Sequence, residues 1–552
     1  MLKLWLTLSL ILGQALAGHK CTNDFDGSER DRDTSHFSYQ PDQQIPLKDH
    51  NPNAAPGEPT LPLEIVPLIV SGPYVNRVDL MFFSDGYLPE EKEKFLKDAQ
   101  YLADDISGNQ TFNTVKPLMN FWAAFTPSKE SGVGTGGHPK KTPFGLYRDG
   151  TELRAVYTAY PEVIKDACDN LYDQCDYPIL LGNDPLYGGL GGYPTIITSS
   201  PLNGPQILRH ELGHSIIPVG EEYDGGFAYF GVNAYHNTSE AVPWAHHLSA
   251  NHPKTHAHVE RSVMPLQDYA WTMLNTSSPW KTTFRSSGMY ARHLVRMSLS
   301  GLPEKTDLRV ELDGKDLDWE PKEGLGVDRW HYDFHRDEAL EGGEHEVSFT
   351  LLNKEREGIA QMCSVEILEF GDEDDPHETY RFVSEPGYYG VFPTYSESNE
   401  TSYRPTNEDC LMRIVTTPNF CKVCLEGLWL ALLKRLSLID TIVIRCDGDN
   451  TALEATFIPL AEYRPEADRI EGEEYTVTWS KDGEVLSDFT NKTKVVFPPE
   501  RALGRYKLEV GLVTPEVVLD KEGVLNGVVE FEVSKTCDWY EAGGKVSIST
   551  DA

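Results

Sequence analysis

The chain has 552 residues, of which 39% are hydrophobic and 24% are charged, and its formal net charge is −37 at pH 7. This is the composition of a globular protein, and the length suggests three to four domains at about 150 residues each. So negative a surface repels phosphate groups, which argues against nucleic acids and anionic membranes as partners.

The first 17 residues have the pattern of a secretory signal peptide. Lys3 precedes an apolar stretch over residues 4–12, and the small residues Ala15 and Ala17 flank Leu16. These are the charged, apolar and cleavage regions of a signal, and the segment is too short to cross a membrane well. We therefore expect a secreted, extracellular protein with an extended lead-in or pro-segment over residues 18–60.

Sequons and cysteines agree with secretion. Five glycosylation sequons begin at Asn109, Asn237, Asn275, Asn399 and Asn491. There are nine cysteines, most of which should pair in an oxidising compartment. Cys168 and Cys175 are expected to close a short loop. For the Cys421-x-x-Cys424 motif we expect a structural disulfide with Cys410 or Cys446, rather than a redox or zinc motif, because no second such motif follows. Since nine is odd, one thiol stays free or pairs between chains.

The first half of the chain alternates between strands and helices. Strands are predicted over residues 77–84, 120–127, 177–181 and 194–198, and helices over residues 89–106, 160–171 and 204–217. The helices show apolar residues at helical spacing, and Pro and Gly residues mark their ends. This alternation predicts an α/β core with a mixed sheet.

Downstream, short strands with alternating apolar residues dominate. They are predicted over residues 308–312, 346–351, 475–479 and 506–510, separated by turns such as Asp313-Gly314. Between them, residues 425–444 indicate a buried amphipathic helix followed by a strand. Two β-sandwich modules are therefore expected, one interrupting the α/β core and one following it.

The sequence His210-Glu211-Leu212-Gly213-His214 lies on the last predicted helix of the first half. Histidines four residues apart share one helix face, so both imidazoles can bind one metal ion. Glu211 lies beside that face, where its carboxylate can accept a proton from the water that a zinc ion activates. The motif predicts a Zn²⁺ site with Glu211 as the general base of peptide hydrolysis.

Two histidines leave zinc short of a protein ligand. Pro218 and Gly220 turn the chain away from the helix, as the glycine does in the longer metzincin motif, where the third ligand comes ten residues after the first histidine. That position is Gly220 here. The carboxylates that follow it, Glu221, Glu222 and Asp224, are the candidates for the third ligand.

The chain resembles the IgA-peptidase family of zinc metallopeptidases, in the metzincin-like zincin clan. The resemblance rests on the histidine motif, on the Glu221-Glu222-Tyr223 run, and on segments 83–87, 127–132, 403–413 and 420–424. Bacterial members carry Asp-Glu-Tyr at the acidic run and so keep Glu at its second position, which favours Glu222 as the metal ligand. The resemblance also implies a zincin fold and makes Met412 the Met-turn residue. The intervening β region is similar to that of fungal-type members.

These features divide the chain into six parts. They are the signal peptide (1–17), the lead-in (18–60), the first part of a zincin catalytic core (61–305), an inserted β-sandwich-like module (306–380), the second core part with the Met-turn and a C-terminal helix (381–440), and a C-terminal β-sandwich (441–552). Within the core, we expect the strand over residues 194–198 to be the edge strand to which an extended substrate adds.

The expected function is that of a secreted, monomeric zinc endopeptidase acting on protein or peptide substrates. The resemblance implies the reaction class, peptide-bond hydrolysis, but it does not imply that IgA is the substrate. The alternative is a secreted binding or adhesion protein with a catalytically inactive zincin scaffold. The presence of Glu211 favours the enzyme. A His-rich stretch, comprising His246, His247, His252, His256 and His258, matches no metal-ligand spacing, and we expect it to be a solvated loop.

Overall fold

The computed structural model describes residues 61–108, 111–237, 240–249, 258–535 and 546–548. The predicted signal peptide, the lead-in and the Asn109 sequon lie outside these residues. The other four sequon asparagines are exposed. Among the described residues, no helix combines the length and the apolar composition needed to cross a membrane.

A six-stranded mixed sheet organises the first part of the chain. The strands up to residue 203 are β1 (Glu64–Val70), β2 (Val78–Asp85), β3 (Met119–Phe125), β4 (Leu146–Tyr147), β5 (Tyr157–Thr158), β6 (Tyr177–Gly182), β7 (Gly189–Leu190) and β8 (Thr195–Thr198). The sheet order is β1-β3-β2-β6-β8-β7, while β4 and β5 form a separate pair. The four central strands run parallel, and each edge strand is antiparallel to its neighbour.

Helices cover both faces of this sheet. They are α1 (Lys92–Gly108), α2 (Pro161–Asp169) and α3 (Gly204–Ile216). Strand β2 is buried along its whole length because its side chains alternate between two cores. Leu80 and Phe82 belong to the core with α1 and α3, and Met81 and Phe83 to the core with α2. The predicted α/β alternation is confirmed, with boundaries shifted by a few residues.

Two antiparallel sheets follow and pack face to face. Their strands are β9 (Ser262–Asp268), β10 (Thr272–Met273), β11 (Trp280–Ser286), β12 (Arg292–Ser300), β13 (Leu308–Leu312), β14 (Lys315–Asp316), β15 (Trp330–Arg336), β16 (Gly343–Leu351) and β17 (Gln361–Phe370). One sheet has the order β10-β17-β12-β15 with β9 also on β17, and the other β11-β16-β13-β14. A separate apolar core lies between them. The strand predicted over residues 308–312 is β13, and the one over 346–351 is part of β16.

The chain returns to the first core after this pair of sheets. A hairpin, β18 (Phe392–Tyr395) and β19 (Thr401–Arg404), leads to helix α4 (Lys422–Leu433). Val259, at the entry to the sheets, pairs with Val391 in the returning segment. The sheets thus enter and leave the core at one place. From the sequence we placed the start of the module at residue 306. Four strands, β9 to β12, precede that residue. They belong to the same two sheets, because they share cores and hydrogen bonds with the later strands.

Two further sheets form the C-terminal region. Their elements are β20 (Ile439–Asp447), β21 (Asn450–Phe457), β22 (Glu474–Lys481), β23 (Glu484–Val485), β24 (Lys494–Phe497), helix α5 (Pro499–Ala502), β25 (Gly504–Val513), β26 (Asn526–Val533) and β27 (Val546–Ile548). The sheet orders are β24-β21-β20-β27 and β23-β22-β25-β26. Buried residues of both sheets, Leu453 and Trp479 among them, belong to the same apolar cluster as the first core. This region is therefore fused to the α/β core through α4.

Candidate active site

Helix α3 carries the histidine motif against the first sheet. Pro205 lies in its first turn, and Pro218 follows its end at Ile216. Ile207, Leu208 and Leu212 are buried in the core beneath β8. With this apolar stripe fixed against the sheet, the helical period directs His210 and His214 to another face of α3.

The two imidazoles are oriented by backbone carbonyl groups. His210 Nδ1 lies 3.1 Å from the carbonyl oxygen of Leu411, and His214 Nδ1 lies 3.1 Å from that of Val219. A ring that donates from Nδ1 keeps its Nε2 lone pair for a metal. The two Nε2 atoms lie 3.3 Å apart. For a tetrahedral zinc with bonds of about 2.05 Å, two nitrogen ligands would lie about 3.3 Å apart.

The Glu221 carboxylate completes this cluster. Its Oε1 lies 3.0 Å from His214 Nε2, and its Oε2 lies 3.2 Å from His210 Nε2. Oε2 is buried and accepts no well-formed hydrogen bond from the described residues. A backbone hydrogen bond from Glu221 to Ala228, next to one from Gly220 to Phe230, fixes the segment that presents this side chain. A Cβ on Gly220 would lie 2.5 Å from two backbone atoms, so only glycine fits there.

The structure does not bring the other two carboxylates to the histidines. Glu222, the expected ligand, is fully buried on the opposite side of the segment, where its Oε1 accepts a hydrogen bond from Asn233. Burial, reinforced by the Cys410 thiol, raises the pKa of Glu222 well above its usual range. Asp224 forms a buried ion pair with Arg413, 2.6 Å away. One signal in the sequence pointed to Glu221, since bacterial members carry an acid at that first position as well.

Glu211 lies beside the cluster under the glycine-rich segment before β8. One of its carboxylate oxygens and one ring nitrogen each of His210 and His214 all lie within 4.8 Å of one another. Burial raises the pKa of Glu211 above its usual value, although the two histidines and the Gly191 backbone act to lower it. A Cβ added to Gly191 would lie 3.0 Å from Glu211 Oε2. The absence of a side chain at Gly191 therefore leaves space for this carboxylate.

The negative charge of Glu221 favours a positive charge on or between the two imidazoles. Burial alone would lower the pKa of His214, but the Glu221 carboxylate raises it to about 9. Burial likewise acts to raise the pKa of Glu221, and the charges of His214 and His210 instead bring it below its usual range. Protons on the imidazoles or a bound cation can supply this charge.

The segment around Met412 lies beneath α3. Leu411 supplies the carbonyl that orients His210, and the Met412 carbonyl accepts a hydrogen bond from the Glu222 backbone, 3.0 Å away. A Cβ on Gly213 would approach Met412 Sδ to 3.1 Å. Met412 therefore packs under the motif, where the resemblance led us to expect the Met-turn. Its segment brings the Leu411 carbonyl to His210, which lies 201 residues earlier in the chain.

The strand at the sheet edge nearest the site is β7. The expectation that residues 194–198 form the edge strand is wrong, because β7 pairs with β8 and covers it. Strand β7 has only two residues, Gly189 and Leu190. A Cβ at Gly189 would lie 3.3 Å from Glu211. This half-buried edge strand thus lies next to Glu211, the general-base candidate.

The disulfide predicted between Cys168 and Cys175 is confirmed. The expected disulfide from the Cys421-x-x-Cys424 motif is wrong, because Cys421, Cys424 and Cys410 are free and buried close together. Cys446, the other expected partner, is disulfide-bonded elsewhere.

Three histidines of the His-rich stretch lie near carboxylates, and one of them, His258, is 3.8 Å from Glu260. His246 and His247 both reach Glu426 Oε2, at 2.7 and 3.2 Å. Glu426 Oε1 accepts hydrogen bonds from the backbone N–H groups of Val518 and Leu519. His246 and His247 therefore belong to a contact between α4 and the C-terminal region, while residues 250–257 of the stretch lie outside the described part of the chain.

Two histidines of a helical His-Glu-x-x-His motif, joined by the half-buried Glu221 carboxylate, define a site of the metallopeptidase class. Residues 66–273 match the family described as IgA Peptidase M64. The resemblance seen in the sequence is confirmed for this region, which is less than half of the chain and matches the IgA-peptidase family of metallopeptidases. No curated protein matches the chain.

Among solved structures, glycosidases match part of the chain. A β-glycosidase from Bacteroides vulgatus is 10% identical over 46% of this chain and 25% of its own, with a TM-score of 0.12. A β-glucosidase from Kluyveromyces marxianus in complex with glucose is 10% identical over 49% of this chain and 45% of its own, with a TM-score of 0.15. The chain spans less than half the length of these enzymes, and such TM-scores carry no argument about fold or activity.

Proposed function

We propose that the protein is a secreted zinc endopeptidase whose metal ligands are His210, His214 and Glu221, with Glu211 as general base. The observation that carries the proposal is the convergence of two imidazole nitrogens and the Glu221 carboxylate at 3.0–3.3 Å. Glu221 replaces Glu222 in the ligand set expected from the sequence. The His210-to-Leu411 contact makes the Met412 segment part of the same site.

The donor set fits zinc. Two neutral imidazoles and one carboxylate are the ligands of a common catalytic zinc site, which keeps a further position open. The buried Glu221 Oε2 without a hydrogen bond also fits, since such an atom needs a cation or a donor. Zinc bound here would polarise the peptide carbonyl and lower the pKa of a water molecule.

The protein groups around the metal ligands have separate tasks. The backbone carbonyls of Leu411 and Val219 orient the imidazoles, and Glu211 holds the reacting water and accepts its proton. An extended peptide adds to the free edge of β7, which brings its backbone alongside Glu211. An internal segment of a long chain can lie along such an edge, which favours endopeptidase action.

Extracellular location rests on the signal-peptide pattern of residues 1–17 and on the Cys168–Cys175 disulfide. The alternative, a binding protein with an inactive core, lacks a comparable observation, because Glu211 is retained and lies beside the metal ligands. We propose a soluble enzyme acting on proteins or peptides as a monomer.

The test is peptide-library cleavage followed by mass spectrometry, with the full-length protein. Cleavage inside the peptides is expected, with loss on addition of a chelator and recovery with Zn²⁺. Glu211→Gln should lower turnover by about 10²–10⁴ with metal content unchanged. Glu162→Gln, an exposed residue on α2, is the matched control and should leave turnover unchanged. Chelator-resistant cleavage, or normal turnover in Glu211→Gln, would contradict the proposal.

A further inference from the structure

A second cluster of metal-binding groups lies behind the proposed active site. Cys410, Cys421, Cys424 and Glu222 are all buried, and their ligand atoms lie within 4.8 Å of one another. Cys410 precedes Met412 by two residues, and Cys421 is the N-cap residue of helix α4. The four residues thus join the acidic run after α3, the Met412 segment and α4.

One carboxylate oxygen in this cluster has no hydrogen-bond partner in the part of the chain that the structure describes. Glu222 is 0% exposed, and Asn233 donates to its Oε1 at 2.9 Å. Its Oε2 is buried and unsatisfied. A buried carboxylate without full compensation is costly, so natural proteins supply a cation or donors at such a place. This observation is independent of the cysteine spacing and itself indicates a missing ligand.

Two of the distances between these ligand atoms match those of a tetrahedral zinc site. With zinc–sulfur bonds of about 2.3 Å, two sulfur ligands lie about 3.8 Å apart, and a carboxylate oxygen lies about 3.5 Å from each sulfur. Cys410 Sγ and Cys424 Sγ lie 3.8 Å apart, and Cys424 Sγ lies 3.7 Å from Glu222 Oε1. The Cys421 backbone N–H lies 3.5 Å from Cys410 Sγ, as is common around thiolate ligands.

Disulfide bonding explains the cluster less well. Three neighbouring thiols can form one disulfide at most among themselves, which would leave the third thiol buried beside Glu222. It would also leave Glu222 Oε2 without a partner. A metal ion uses all four groups, and the buried guanidinium of Arg404 adds positive charge near the carboxylate.

We propose that Cys410, Cys421, Cys424 and Glu222 bind a structural zinc ion, separate from the active-site metal. The ion would fasten Glu222 to the Met412 segment and to α4. Because Glu221 is the next residue, this bond holds the third active-site ligand in place. Four protein ligands leave no position for a substrate, so this ion has a structural role.

The experiment measures metal and thiols in the purified full-length protein. About two zinc ions per chain are expected, of which His210→Ala loses one and Cys424→Ser the other. Cys363→Ser, which changes a buried free cysteine on β17 outside the cluster, is the matched control and should keep both ions. Glu222→Gln keeps the side-chain size and should bind the second ion more weakly.

If Cys424→Ser does not fold, a second measurement on the wild-type protein tests the proposal. In the wild type, all three clustered cysteines should react with an alkylating reagent after denaturation with a chelator and without a reductant. Cobalt(II) in place of zinc should give the intense near-ultraviolet absorption of thiolate ligands, which His210→Ala should retain.

Several outcomes decide the proposal. It is overturned by a disulfide between any two of the three cysteines, or by a single ion that His210→Ala loses. A single ion that His210→Ala keeps and Cys424→Ser loses supports this site while contradicting the proposed active-site metal. The two proposals can therefore fail separately.

Discussion

Two adjacent glutamates of this protein have opposite surroundings. Glu221 faces the imidazoles of α3, whereas Glu222 faces Asn233 and the cysteines. Their backbone N–H groups bond to opposite partners, Ala228 for Glu221 and Met412 for Glu222. The two carboxylates are chemically identical, so the backbone hydrogen bonds of this segment to Ala228 and to Met412 determine which of them faces the histidines.

The first prediction concerns Glu221. Glu221→Ala should lose one equivalent of metal and all measurable peptidase activity, because two imidazoles hold zinc too weakly. Metal analysis and peptide cleavage measure the two effects. His138→Ala, an exposed histidine outside the site, is the control and should match the wild type. Full metal content in Glu221→Ala would assign the third ligand elsewhere.

The second prediction concerns the space above the general base. In Gly191→Ala the new Cβ would lie 3.0 Å from both Glu211 Oε2 and His214 Cβ, so each of these neighbours must give by a few tenths of an ångström. Turnover should fall about 10-fold, with metal content unchanged, since misplacement by 1 Å can cost about 10²-fold. Gly108→Ala, where a Cβ meets nothing within 4 Å, is the control. Unchanged turnover in Gly191→Ala would mean that Glu211 has room to adapt.

At this scale the sequence predicts some groups better than others. His210, Glu211 and His214 follow from helical spacing, because a helix fixes which residues share a face. The choice between Glu221 and Glu222 does not follow, since it depends on hydrogen bonds to distant segments. The state of Cys421 and Cys424 was missed for the same reason: their neighbour Glu222 lies 202 residues from Cys424.

Among the elements, the end of β2 anchors the loop that leads to β4. Asp85 is buried and accepts hydrogen bonds from the Phe144 and Leu146 backbones and from the Thr142 hydroxyl. Burial raises the pKa of Asp85, and these donors act to lower it. The carboxylate thus accepts hydrogen bonds from backbone N–H groups of this loop that are not paired with a strand.

The third prediction tests this anchor. Asp85→Ala leaves three buried donors without an acceptor, and the free energy of unfolding should fall by about 2–4 kcal/mol. Urea denaturation followed by circular dichroism measures the change. Asp166→Ala, an exposed position on α2, provides the comparison and should change stability by less than about 0.5 kcal/mol. An equally small effect at Asp85 would show that water replaces the carboxylate.

Helices and strands whose apolar residues recur at regular spacing were predicted well. The elements that were missed lack such a pattern for physical reasons. Helix α1 and strand β2 carry long apolar patterns, so their positions were found within a few residues. Strand β7 was missed because two residues in a glycine-rich run show no alternation. Strand β9 is only partly buried along its length, so its place in the sheet depends on pairing with β17.

Across the whole molecule, Glu426 links three regions. It lies on α4, contacts His246 and His247, and accepts hydrogen bonds from Val518 and Leu519. Burial acts to raise the pKa of this carboxyl group, but His247, His246 and the two N–H groups lower it to about 2. The charged form of Glu426 is therefore the one that the folded protein favours.

The fourth prediction follows from that pKa. A carboxylate with a lowered folded-state pKa contributes stability above its unfolded value of 4.5, and this contribution is lost as pH falls toward 2. Glu426→Gln should cost about 1–3 kcal/mol at pH 7, and the difference from wild type should shrink between pH 4.5 and 2. Chemical denaturation across this range is the measurement. Glu462→Gln, an exposed glutamate, should match the wild type at every pH, and a constant deficit in Glu426→Gln would contradict the assignment.

The site joins His210 to Leu411 across 201 residues, with two packed sheets in between. Contacts between segments so distant are slow to form, because closing the long intervening loop costs conformational entropy. Translation makes α3 long before it makes the Met412 segment. A growing chain would therefore carry the histidine motif without the group that orients His210. The order of synthesis thus leaves this cluster incomplete until the segment around Met412 has been made.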